Sequence, residues 1–253
     1  MSPKDTRLAG RRALVTGSTG GLGVAIAKAL AAEGAVVVVS GRDKTRGDAV
    51  VADIRSAGGD AAFVAADLGA GGDAARRLAD GAVEAAGGID ILVNNAATLL
   101  MPTPTADVSE QELRDVFGVN VFAPFLLTGA LAPRMVDHGG GAVVNIGSIT
   151  GLRGSSGSAV YSANKAAIHS FTQSWADEYG PHGVRVNAVA PGPIGTERQA
   201  EFADHIAPTL SRLPSRRVST PEEVAAAVVF LVSDDAANIH GTVLSVDGGW
   251  AAT

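Results

Sequence analysis

The sequence predicts a doubly wound, parallel α/β sheet of seven strands with helices on both faces, in one domain spanning residues 1–253. Three observations lead there. Short apolar runs alternate with stretches of helical periodicity along the whole chain. A glycine cluster separates the first run from the first helix. The composition is small and aliphatic, with 46% apolar residues, 4% aromatics and 32 glycines, which suits strands buried beneath helices on both sides.

Taken in order, residues 12–16 (RALVT) form a short apolar strand ending at TGSTGGLG, and Leu22, Ile26 and Leu30 then recur at i, i+4 and i+8, with Gly34 at a C-cap position. Residues 35–40 (AVVVVS) are apolar on both faces, as a strand buried on both sides must be. Third and fourth strands at 61–65 and 89–94 alternate with helices around 50–57 and 74–86. Ser109-x-x-Glu112 is a capping box that opens a long helix towards Val136. A fifth strand follows at 142–146, a helix at 159–179 and a sixth strand at 184–190. Thr220-Pro221-Glu222-Glu223 combines an N-cap, a proline at the first helical position and a carboxylate at the third, starting a helix through Leu231. The seventh strand is 242–246. Periodicity lapses at 191–219, a length that marks a substrate loop or lid in a compact domain.

Composition excludes several functions. A net charge of -6, with a pI near 5.3 and scattered basic residues, argues against a nucleic-acid surface. The absence of cysteine excludes a disulfide framework, thiol catalysis and thiolate metal ligation, and the five histidines show no ligand spacing, so no metal site is expected. The start, MSPKDTRLAGRR, precedes no long apolar run, so neither a signal peptide nor a membrane span is expected and the protein reads as cytoplasmic.

Two stretches carry chemistry. In the loop Gly17-Ser18-Thr19-Gly20-Gly21-Leu22-Gly23, glycines let backbone approach a phosphate and the following helix N-terminus offers unpaired N–H groups. The spacing is G-x-x-x-G-x-G rather than G-x-G-x-x-G. On the later helix, Tyr161 and Lys165 stand four residues apart and share one face. A cation about 5 Å from a phenol, at an effective dielectric of about 20, favours the phenolate by roughly 3 kcal/mol, or about two pKa units. Ser148 lies at the carboxyl end of the fifth strand, the edge where open α/β sheets bind ligands.

Thr16-Gly17-x-x-x-Gly21-x-Gly23, Asn94-Asn95-Ala96, Asn120, Ser148, Tyr161-x-x-x-Lys165 and Pro191-Gly192, in that order over nearly the whole chain, resemble the short-chain dehydrogenase/reductase family. Within it, the pattern is similar to 3-oxoacyl-carrier-protein reductases and gluconate-type dehydrogenases. One departure is Ala97, where the family has glycine. The resemblance implies a Rossmann fold and an oxidoreductase interconverting a ketone and a secondary alcohol, with Ser148 binding the carbonyl oxygen, Tyr161 as general acid/base, Lys165 serving phenol and nicotinamide ribose, and Asn120 holding a relay water. It further implies that Gly17, Ser18, Thr19, Gly21, Leu22 and Gly23 hold the diphosphate, and that Asp67 and Leu68 border the adenine. Asn95 and Ala96 would pass under the adenosine ribose, while Pro191, Gly192, Ile194 and Thr196 would surround the nicotinamide. NAD-preferring relatives carry an acidic residue at the end of the second strand; Gly41 and Arg42 stand here, so NADP(H) is expected, with Ser40 and Arg42 on the 2′-phosphate. Asp67 could instead cap a turn, and Arg42 could be a solvated loop residue.

The resemblance also implies a homotetramer built through the two long helices and residues 244–249. Enoyl reductases of related fold space Tyr and Lys further apart, which disfavours reduction of a carbon–carbon double bond. Asp137-His138-Gly139 and Asp177-Glu178 sit where carrier-protein docking would want basic residues. A dehalogenase-like lyase and a non-catalytic NADP-binding regulator stay open as alternatives on the same fold. Substrate walls are expected from Leu99, Leu100, Met101, Leu152, Ile194 and Phe202, with Arg153 or Arg198 for an anionic group. Phe171 and Trp175 read as core or subunit packing, Met101 and Met135 as gap fillers or pocket walls, and His169, His182, His205 and His240 as structural or exposed.

Overall fold

The computed structural model describes residues 6–154, 156–197 and 210–252; Arg198, Phe202 and His205 lie outside the described residues. Seven parallel strands form one sheet in the order β3-β2-β1-β4-β5-β6-β7. They are β1 Arg12–Val15, β2 Val36–Gly41, β3 Asp60–Ala65, β4 Ile91–Asn94, β5 Gly141–Ile146, β6 Val184–Pro191 and β7 Val243–Val246. The helices are α1 Gly21–Ala32, α2 Lys44–Ser56, α3 Gly72–Ala86, α4 Glu110–Phe117, α5 Ala123–Asp137, α6 Ala159–Tyr179 and α7 Pro221–Val232. The strand order reverses between β1 and β4, the point where doubly wound sheets open a crevice at their carboxyl edge.

Alternation along each strand divides the core in two. Ala13, Val15, Val37 and Val39 face a cluster with Ile26 and Leu30 of α1 and Val224 and Val228 of α7. Leu14 and Val38 face the opposite cluster with Leu78 of α3, Leu127 and Leu131 of α5 and Trp175 of α6. Successive side chains of a strand point to opposite faces, so a run such as Val36–Val39 must be apolar throughout to fill both.

Two expectations shift. The fourth strand begins at Ile91 rather than Ile89, and the Asp90 carboxylate just before it holds Arg12, accepting from its backbone N at 2.9 Å, Nε at 2.8 Å and Nη2 at 2.7 Å. The long helix after Ser109 has its capping box, but it divides into α4, a π-helical turn at Gly118–Phe122 and α5. That helical run, Glu110–Asp137, is long and apolar enough by composition to cross a membrane. Leu127, Leu131, Ala132 and Met135 are instead buried against the sheet.

Beneath the carboxyl edge of the central strands lies a buried polar ladder. Asn94 Nδ2 donates to Asn145 Oδ1 at 2.9 Å and to Thr128 Oγ1 at 3.3 Å. Asn145 Nδ2 donates to Thr172 Oγ1 at 2.8 Å, and Thr172 donates to Ile168 O at 2.8 Å. The ladder ties β4, β5, α5 and α6 together directly below the site.

Candidate active site

The glycine loop is held from below and open above. Thr16 Oγ1 accepts from the backbone N of Asn95 at 2.9 Å and of Ala96 at 3.0 Å, while Asn95 Nδ2 donates to Thr16 O at 2.8 Å and Gly17 O at 3.1 Å. Gly17 has φ +63, and a Cβ there would lie 2.8 Å from Ala96 Cα; a Cβ on Gly23 would lie 2.3 Å from Gly17 O. Only glycine permits this packing. At Gly20, by contrast, a Cβ would meet nothing within 4 Å, and α1 begins there without a side-chain cap. The first N–H groups of the helix therefore face open space at the positive end of its dipole, a cradle shaped for a dinucleotide diphosphate.

The other expected cofactor residues divide. Ser18 is fully buried: its Oγ donates to Val15 O at 2.7 Å and accepts from Ser40 N at 3.0 Å, so its hydroxyl staples the loop to β2 and is not free for a ligand. Thr19 packs over Gly41, where a Cβ would lie 2.6 Å from Thr19 Oγ1. Ser40 is buried, and Arg42 is exposed with no ion pair among the described residues. Asp67 accepts from Gly69 N at 3.0 Å, capping a short 3-10 turn, and Leu68 belongs to the core. Pro191 ends β6. Gly192 lies so close to β7 that a Cβ would stand 2.9 Å from Asp247 Cα. Ile194 pairs with Ser219 in an isolated bridge. Thr196 stands across from the loop, its Cγ2 3.7 Å from a Cβ built on Gly21.

Ser148, Tyr161 and Lys165 come together as the spacing requires. Ser148 leaves β5 in extended conformation and caps a 3-10 turn, accepting from Thr150 N at 3.2 Å and Thr150 Oγ1 at 3.0 Å. Its hydroxyl also stands beside the Tyr161 phenol, close enough to favour the phenolate. Lys165 Nζ lies 5.7 Å from the Tyr161 ring centroid and donates to Ile146 O at 2.8 Å. The expected electrostatics are corrected in direction. Burial raises the Tyr161 pKa, against the opposing effect of the Ser148 hydroxyl. Burial also pushes Lys165 down to about 8. Loss of hydration for each charged form outweighs their attraction across the gap. Asn120 sits in the π turn, but its side chain is engaged: Oδ1 accepts from Thr98 N at 2.7 Å, and Nδ2 donates to Thr98 O at 2.9 Å and Asn164 Oδ1 at 3.3 Å. It clamps the loop after β4 to α6.

Where the strand order reverses, a diphosphate cradle faces a hydroxyl, a protonated phenol and a lysine, equipment for moving a hydride and a proton between CH–OH and C=O with a nicotinamide dinucleotide. Matches to known proteins carry this to the family. A family model described as enoyl-(acyl carrier protein) reductase matches residues 17–251. The 2,5-dichloro-2,5-cyclohexadiene-1,4-diol dehydrogenase of Sphingobium indicum is 38% identical over 246 residues, covering 97% of this chain and 98% of its own. The 3-oxoacyl-[acyl-carrier-protein] reductase of Aquifex aeolicus is 36% identical over 246 residues, covering 97% and 99%. A solved structure from Beutenbergia cavernae, described as a candidate NAD(P)-dependent gluconate 5-dehydrogenase with NADP bound at low occupancy, is 38% identical with a TM-score of 0.92, covering 98% of this chain and 100% of its own. The chain belongs to the short-chain dehydrogenase/reductase family and is an oxidoreductase of that family.

Two residues had no role in the sequence reading. Thr16 is the hub that sets the glycine loop against Asn95, and only its place one residue before the loop hinted at it. His169, read as structural or exposed, is buried one helical turn beyond Lys165 and lies against Gly147 and Gly151 on either side of Ser148. Its spacing of four from Lys165 was the available signal.

Proposed function

We propose that the protein is an NADP(H)-dependent carbonyl reductase, equally a secondary-alcohol dehydrogenase in reverse, in a single catalytic domain with 191–219 as its substrate segment. The observation that carries the reading is Ser148 set beside the Tyr161 phenol, with Lys165 one turn along the same helix face. When bound, the nicotinamide supplies or accepts the hydride. Ser148 donates to the carbonyl oxygen and sets its distance from the phenol. Tyr161 gives that oxygen its proton, which the phenol holds at neutral pH. Lys165 would contact the nicotinamide ribose, and any relay through Asn120 would run through its backbone, since its amide is occupied.

The cradle formed by residues 17–23, with Asn95 and Ala96 beneath it and Thr196 opposite, would hold the dinucleotide. The end of β2 favours a 2′-phosphate: no carboxylate stands at Gly41, Thr19 fills the space such a side chain would enter, and Arg42 has no ion pair among the described residues. Substrate walls are apolar. Leu99, Met101 and Leu152 are exposed, and a cavity of about 80 Å³ beside Tyr161 is lined by Leu100, Val108, Leu113 and Val160 with Thr103, Thr105 and Ser158, and by no charged side chain among the described residues. Arg153, expected as an anion anchor, donates to Trp250 O at 2.7 Å. This supports a neutral, apolar ketone, consistent with a relative named for a cyclic diol. We further take the enzyme to be cytoplasmic and a homotetramer.

Initial rates on a panel of cyclic ketones, aliphatic ketones and sugar acids, with NADPH and with NADH, test the reading. Reduction of neutral ketones with kcat/KM at least about tenfold higher for NADPH is expected, a difference of about 1.4 kcal/mol. A preference for NADH sinks the cofactor assignment. Tyr161→Phe should bind NADPH as wild type does and lose turnover by a factor on the order of 10² or more; near-wild-type turnover refutes the assignment of the acid.

A further inference from the structure

We propose that His169 is a positioning residue for Ser148, its neutral imidazole wedged beneath the Gly147–Gly151 turn so that the turn holds the serine hydroxyl at the height of the Tyr161 phenol. This rests on the reading of Ser148 and Tyr161 as the reacting pair. Tyr161, Lys165 and His169 follow one another at i, i+4 and i+8 on α6, and therefore share the face turned to the end of β5. His169 is 6% exposed. A Cβ on Gly147 would stand 2.1 Å from its Nε2, and a Cβ on Gly151 would stand 2.7 Å from its Cε1. The ring thus fills the space left by two absent methyl groups, one on each side of Ser148.

The backbone bonds of the turn do not themselves reach α6, and at the Gly147 end its seat on the helix is set by side chains, Lys165 Nζ on Ile146 O at 2.8 Å and the His169 ring under Gly147. Gly147 N donates to Val189 O at 2.8 Å, tying the start of the turn to β6, and Gly151 N donates to Ser148 O at 2.9 Å, closing the turn on itself. Neither bond reaches α6. At Gly151 the turn packs against both the imidazole and the α6 backbone at Lys165 and Ala166; at Gly147 the imidazole alone stands beneath it. The polarity of the ring is the second observation. Neither ring nitrogen meets hydrogen-bond geometry with any partner, although a ring N–H faces the Gly151 carbonyl. Packing alone would be served better by an apolar side chain of the same volume, which leaves no buried polar group unpaired. A ring that props Gly147 with a polar edge turned toward the Gly151 carbonyl accounts for both the shape and the polarity.

A double-mutant cycle between His169 and Ser148 tests this. His169→Leu should lower kcat about tenfold, because small misplacements of reacting groups are costly, while the Kd for NADPH, read by fluorescence titration, stays within about twofold. In a Ser148→Ala background the same substitution should change kcat by less than about twofold, since residues acting through one another are not additive. His169→Gln keeps an N–H for the Gly151 carbonyl and should recover kcat to within about threefold of wild type. Equal losses in both backgrounds, wild-type kcat in His169→Leu, or His169→Gln no better than His169→Leu each overturn the proposal. If His169→Leu does not fold, the cycle with His169→Gln decides, its loss again present only with Ser148. Near-wild-type kcat in Ser148→Ala overturns the reading of the site and this inference with it; additivity overturns this inference alone.

Discussion

At Tyr161 and Lys165, the four-residue spacing brings a phenol and an ammonium together, but burial determines what their proximity does. Buried groups favour their neutral forms, so the phenol keeps its proton and the lysine is pushed down to about 8. His169 follows the same physics. Burial first, and the Lys165 charge second, lower it from 6.5 to about 4. Above pH 6.5 the imidazole is neutral in both folded and unfolded chains and stability does not depend on it. Between 6.5 and 4 the unfolded chain binds a proton that the folded chain refuses, so stability falls as pH falls, by up to about 1.4 kcal/mol per unit. Urea unfolding at pH 6.5 and 4.5 should therefore show a steeper loss for wild type than for His169→Gln. Equal losses in the two proteins would mean that His169 titrates normally.

A helix is placed by what it touches, and α6 is placed by polar as well as apolar contacts. Asn145, wholly buried on β5, accepts from Asn94 and donates to Thr172 of α6, on the stretch of helix just beyond Lys165 and His169. Cutting that strut leaves the Asn94 amide and the Thr172 hydroxyl short of a partner and opens a small cavity. Asn145→Ala should lower unfolding stability by about 3 kcal/mol with an unchanged denaturant m-value. A loss under about 1 kcal/mol would show that apolar packing alone seats α6. The π turn at Gly118–Phe122 belongs to the same scale: one residue wound differently turns Asn120 onto the Thr98 backbone and so couples the loop after β4 to α6.

For the assembly, the telling surface is the outer face of α5 and α6. Phe125 is 51% exposed and Phe122 59%, and Phe125 leans edge-on against Phe171 at 5.4 Å and lies 5.9 Å from Trp175. A monomer has little reason to hold Phe122 and Phe125 more than half in water, and helix faces of this kind are buried by symmetry-related copies. Sedimentation equilibrium should give four copies of the 25.3 kDa chain, and Phe125→Glu should shift the population to smaller species while leaving the far-UV circular dichroism intact. A monomeric wild-type mass at micromolar concentration would overturn the tetramer.

Strand and helix alternation, the capping boxes at Ser109 and Thr220, and the glycine loop were legible in the sequence because each depends on neighbours within one turn or one pleat. The Tyr161–Lys165 pair was legible for the same reason. What the sequence could not show is decided by contacts between residues far apart in the chain. Ser18 points into β2 because Ser40 lies beside it; Asn120 clamps Thr98 because a π turn rotates it there. Burial, a property of the assembled fold, reversed the expected direction at Tyr161. His169 looked idle at its position in the chain, and became a prop for Ser148 only when β5 and its turn were laid across α6, because Gly147 and Gly151 leave room for a ring that no local pattern records.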